Sequence, residues 1–175
     1  MFKESIKYGL IGGAIFILYS LITQIVGMEH FVSLWVYLLT FVFMIVWVFV
    51  SIGKQRKANG NSISFKNALI SGMISFGIMT LITTVYGILY FNVIAPDAKY
   101  ELTELIIEST VESMENFGAP QDSIDQFLDN DAEKMPEQFE TGSQIVSYFK
   151  QLIFGLVISL IAALILKRKP ENIGA

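Results

Sequence analysis

Four long apolar runs, at residues 8–26, 31–52, 68–94 and 145–166, limit what this chain can fold into more than any other feature. A helix rises 1.5 Å per residue, so about 20 apolar residues cross the roughly 30 Å hydrocarbon core of a bilayer. Each run meets that length. The composition agrees, with 53% hydrophobic and only 16% charged residues. The sequence therefore predicts an all-α integral membrane four-helix bundle. Between its third and fourth spans sits a small helical extramembrane subdomain, residues 96–141.

The first run follows Lys3 and Lys7 and shows no small-x-small cleavage site near its end, so it reads as a retained span and not as a cleaved signal. The second has Trp35 and Tyr37 near its start and Trp47 near its end. That is the placement of aromatic belts at two lipid–water interfaces, and both tryptophans read as simple anchors. The link after it, residues 53–66, carries Lys54, Arg56, Lys57 and Lys66 with no acid. Gly60 can take a positive φ there, and Ser64 can cap the third helix. Pro96 ends the third run, Thr141-Gly-Ser143 offers a cap for the fourth, and Lys150 can snorkel from within it.

Charge asymmetry orients the chain. Nine of its 12 Lys and Arg lie in the amino terminus, the 53–66 link and the segment Lys167-Arg-Lys169. By the positive-inside rule both termini and that link are cytoplasmic, and residues 96–141 are outside. The expected location is the cytoplasmic (inner) membrane, with the lipid bilayer as the first partner. The net charge of −4 hides this asymmetry, and no nucleic-acid partner is expected.

Lipid tails are as apolar as leucine, so spans associate by close packing. Small residues recur every four positions, which places them on one stripe of a helix. The sets are Ser5, Gly9 and Gly13, then Ala68 and Gly72, Ser71 and Ser75, and finally Gly155, Ser159 and Ala163. They serve packing within one bundle or contact in a homo-oligomer. Ser20, Thr40, Thr80, Thr83, Thr84 and Ser159 lie inside spans, with Asn92 near a span end. Hydroxyls there can bond a carbonyl one turn back. No Asp, Glu, Arg or His sits at mid-membrane depth, which argues against proton relays and ion-coupled transport.

Residues 96–141 hold 13 of the 16 acids. From 97 to 117 the pattern is helical, with Leu102, Ile106, Ile107, Val111, Met114 and Phe117 on one side. Glu101, Glu104, Glu108, Glu112 and Glu115 form a stripe opposite. Like charges three and four apart weaken a helix by a few tenths of a kcal/mol per pair, so the apolar side must be packed on something. The stripe is a solvated face or a surface that attracts cations or a basic partner. After a break at Gly118-Ala-Pro120, a second short helix brings Ile124, Phe127 and Leu128 to one face.

Asp129, Asp131, Glu133 and Glu140 approach calcium-loop spacing, with ligands at positions one, three, five and twelve. Lys134 stands where the loop needs glycine, so no metal site is predicted. With no Cys, disulfides, thiolate chemistry and Cys-based zinc sites are excluded, and the single His30 rules out a multi-histidine site. Glu29-His30 reads as an interface pair. No catalytic constellation or cofactor motif is visible, and the chain is not expected to be an enzyme.

The run Ile63-Ser-Phe-Lys-Asn-Ala-Leu-Ile-Ser-Gly72, continuing to Ala95-Pro-Asp97, resembles a family of small bacterial four-span membrane proteins known as domain of unknown function 4199. Leu69 stands where that family has Phe. The resemblance implies the four-span architecture and brings no activity, ligand or catalytic residue with it. The functional expectation is an interaction or scaffold role through the acidic segment, toward a membrane-protein or other partner. The alternative is an oligomeric passive channel or carrier with a cation-attracting acidic vestibule.

Overall fold

A computed structural model describes residues 2–168, with His30 and Phe31 described by their backbone. Lys169, the tail through Pro170 and the imidazole of the Glu29-His30 pair lie outside the described residues. Helix α1 spans Lys3–Val26, and a 3-10 turn, Met28–Phe31, leads into α2, Leu34–Ala58. Helix α3, Phe65–Leu89, continues into a π turn, Tyr90–Ile94. Then come α4, Ala98–Asn116, α5, Gln121–Asn130, a 3-10 stretch, Ala132–Phe139, and α6, Thr141–Leu166. Four of these, with α3 extended to Ile94, are long and apolar enough to cross a membrane.

The helices outrun the apolar runs at several ends. α1 begins at Lys3, and α2 runs on through Lys54, Arg56 and Lys57, leaving 59–64 as the whole link to α3. Lys and Arg are good helix formers, so loss of hydropathy does not stop the hydrogen-bond ladder. Gly60 at φ +70° and Asn61 at φ +62° turn the chain instead. Ser64 Oγ then accepts from the Asn67 amide at 3.3 Å, capping α3. The cap expected from Thr141-Gly-Ser143 is not used. Glu140 is the N-cap of α6 without a side-chain bond, and Gln144 Nε2 donates to Phe139 O at 2.7 Å.

α3 is the centre, with α1 and α6 packed against it and α2 touching α1, α3 and α6. Close backbone approach sets these contacts. A methyl group at Gly9 would lie 2.8 Å from Ile78 Cβ, and one at Gly13 would lie 2.8 Å from Ile82 Cβ. At Gly72 it would meet Ser159 Oγ at 2.6 Å, and at Gly155 it would run into the Phe76 ring. Ala68 and Ala163 are fully buried in the same core. The small-residue stripes therefore face neighbouring helices of one bundle.

The burial is uneven. Val48, Ile52, Phe76, Met79, Ile158 and Ala162 are buried, and in α2 no residue before Val48 is. The spans are thus packed most closely in the half of the bundle nearer residues 3 and 168. Toward the other end α1, α2 and α3 leave a cavity of about 280 Å³ beside Phe16, Tyr19, Thr40, Thr83 and Tyr86.

Trp47 departs from the anchor reading. Its Nε1 donates to Tyr8 O at 2.8 Å, and its ring stacks on Phe43 at 5.2 Å. The indole fits because position 12 is glycine, where a methyl group would lie 2.5 Å from Nε1. Trp47 therefore ties α2 to α1. Trp35, in contrast, is 74% exposed at the start of α2.

Candidate functional site

α4 carries the acidic stripe. Glu101, Glu104, Glu108, Glu112 and Glu115 are all exposed, and none has an ion-pair partner among the described residues. Leu102, Ile106, Ile107, Val111 and Met114 opposite them are half-buried. Phe117 does not join that face. The helix ends at Asn116, and Phe117 lies beyond it, 82% exposed. Thr103, Thr110 and Ser113 bond carbonyls of α4 itself, four residues back. Ser109 reaches out instead, and its Oγ donates to Val32 O at 2.9 Å, fixing α4 to the segment ahead of α2. The acids are thereby held on a surface whose position relative to the bundle is set.

A cavity of about 530 Å³ lies in this seam, lined by Glu29, Trp35, Glu108, Ser109 and Glu112 among others. Carboxylates and aromatic faces both attract cations. Beyond α4, Gly118 at φ +73° breaks the chain before α5, where Ile124 is buried, Phe127 half-buried and Leu128 exposed. The subdomain returns to the bundle at Asn92, whose Nδ2 donates to Ile88 O at 3.1 Å and to Phe139 O at 3.0 Å.

The calcium-like spacing is not a loop here. Asp129 is in the last turn of α5, Asp131 caps it, Glu133 is in the 3-10 stretch and Glu140 precedes α6. These carboxylates are spread over three elements, and among the described residues no group of three or more His, Cys, Asp or Glu is placed to hold an ion.

Sequence reasoning missed a buried polar junction. Gln55, 2% exposed, accepts from Ser5 N and Ser5 Oγ at 3.4 and 3.3 Å and donates to Asn59 Oδ1 at 3.1 Å. Ser5 Oγ also meets Ser71 Oγ at 2.6 Å. Three helices are joined where lipid or apolar packing offers polar groups no other partner. The signal was the spacing Val48, Ser51, Ile52, Gln55, which continues one helical face past the apolar run. Thr80 and Thr83 bond carbonyls of α3, whereas the buried hydroxyls of Ser51, Ser75 and Ser159 have no hydrogen-bond partner among the described residues.

The four apolar helices and their shared core define a multi-pass, all-α membrane protein. The chain belongs to the family described as "Protein of unknown function (DUF4199)", whose model matches residues 7–168. No curated protein and no solved structure matches it.

Proposed function

We propose that this protein works as an interaction or scaffold protein, docking a positively charged partner on the exposed face of α4. The observation that carries the reading is the stripe itself: five exposed glutamates with no ion pair among the described residues, on a helix fixed by Ser109. Electrostatic docking of this kind weakens steeply with salt. Replacing all five glutamates with glutamine is expected to cut crosslinking of the partner in native membranes by roughly tenfold or more. The substitution also removes like-charge pairs, so α4 itself is not weakened. An unchanged set of crosslinked partners would sink the proposal. The oligomeric channel or carrier reading draws support from the cavity beside Thr40 and Thr83, but the buried core of Phe76 and Met79 stands between that cavity and the other end.

The same reading puts both chain ends and the 59–64 link in the cytoplasm and α4 outside a cytoplasmic membrane. Its support is the distribution of Lys and Arg. The chain has no cysteine, so single substitutions report cleanly. In intact cells Glu108→Cys is expected to react with a membrane-impermeant maleimide and Lys57→Cys only after lysis. The reverse pattern would invert the topology.

A further inference from the structure

At the end of the bundle remote from α4, the α2–α3 link and the residues after α6 pair as two short antiparallel segments. Ile63 N donates to Arg168 O and Arg168 N to Ile63 O, both at 2.9 Å. The pairing borders a cavity of about 620 Å³, lined by Asn59, Ser62, Ser64, Asn67, Lys167 and Arg168. Arg56 stands beside it. Its Nη1 donates to Leu166 O at 3.4 Å, and its buried Nε has no hydrogen-bond partner among the described residues.

Two cations, Lys167 and Arg168, thus line the cavity and Arg56 reaches the end of α6 next to them, and among the described residues the link, α3 and α6 contain no acid. Glu4, the carboxylate at this end of α1, pairs with none of the three. Like charges held together with no ion pair among the described residues repel, and an anion entering the cavity relieves that repulsion. Guanidinium and ammonium donors match the oxygens of phosphate. Asn59, Ser62 and Asn67 add neutral groups able to bond the same oxygens.

The depth of the cavity narrows the source. Leu166 ends the apolar stretch of α6 and Lys167 follows it directly, so the cavity lies where the span leaves the hydrocarbon, at the level of lipid headgroups. We propose that this cavity binds the phosphate group of an anionic ligand, held by Lys167, Arg168 and Arg56. An anionic phospholipid presents that group at this depth, and free phosphate is the other source.

Native mass spectrometry of the full chain, purified in neutral detergent and offered phosphatidylglycerol or phosphatidylcholine, tests this. Phosphatidylglycerol is expected to be retained at one copy per chain and phosphatidylcholine is not. The double change Lys167→Gln and Arg168→Gln keeps the backbone pairing with Ile63 and is expected to weaken retention roughly thirtyfold. Inorganic phosphate at constant ionic strength separates the sources. A thermal shift with inorganic phosphate that vanishes in the double variant identifies free phosphate as a sufficient ligand. A shift with phosphatidylglycerol alone identifies the lipid. Equal retention of phosphatidylcholine by the unaltered chain overturns the proposal without any variant. So does unaltered phosphatidylglycerol retention in the double variant, or no response to either anion.

Discussion

Substituting leucine for Gly155 is expected to destabilise the bundle by about 3 kcal/mol, the upper part of the range for overpacking a filled core. A side chain at 155 would be driven into the ring of Phe76, with Cε1 2.6 Å and Cγ 2.8 Å from where even a Cβ must sit. Phe76 is fully buried and also meets Phe154 edge-on at 6.3 Å, so its ring has nowhere to retreat. The damage falls on the α3–α6 contact, because helices in lipid associate through such close approach. Thermal or SDS-driven unfolding in detergent reads the loss. Truncating Phe76 to alanine makes the complementary defect, a cavity, at about 3–5 kcal/mol if the site does not collapse. Combining Phe76→Ala with Gly155→Leu puts the new side chain into the vacated space. The pair is expected to cost clearly less than the sum of the single changes. Strict additivity would mean that the two positions do not share the space described.

The second large effect separates two tryptophans that look alike in sequence. Trp47→Ala is expected to cost about 3–5 kcal/mol, since it empties a packed position between α1 and α2. Trp47→Phe keeps most of the ring contact with Phe43 and removes the bond to Tyr8 O, for a loss of about 1 kcal/mol. Trp35→Ala, at an exposed site, is expected to stay within about 0.5 kcal/mol. The same unfolding measurement ranks the three. A Trp35 effect equal to that of Trp47 would contradict the packing role given to the indole at 47.

The four spans were legible because a bilayer demands long apolar stretches, and the small-residue stripes were legible because a period of four survives any uncertainty about helix ends. What hydropathy does not encode is where backbone hydrogen bonding stops. α2 therefore continues through Arg56 to Ala58, and Gln55 lies in the core although its neighbours are basic. Trp47 was misread for a related reason: position along a span does not reveal which way a side chain faces. The acidic stripe of α4 was readable from its period, and only the helix end at Asn116 removes Phe117 from the opposite face. Residues 129–140 have ligand-like spacing in the sequence, but the stretch Ala132–Phe139 is wound as a 3-10 helix and not as a loop, and among the described residues no three such ligands gather.

The junction at Asn92 and Phe139 has a consequence for how such chains vary. One amide side chain bonds Ile88 in the third span and Phe139, two residues ahead of the fourth, and the rings of Phe91 and Phe139 lie 4.6 Å apart. The intervening segment leaves and re-enters the bundle through a single neck. Its ends are already together, and loop-closure entropy grows only slowly with length. The segment is therefore expected to behave as a cassette. Its contents can be lengthened, shortened or exchanged while the spans beneath keep their register, so long as the neck and the Ser109 tie to Val32 are preserved.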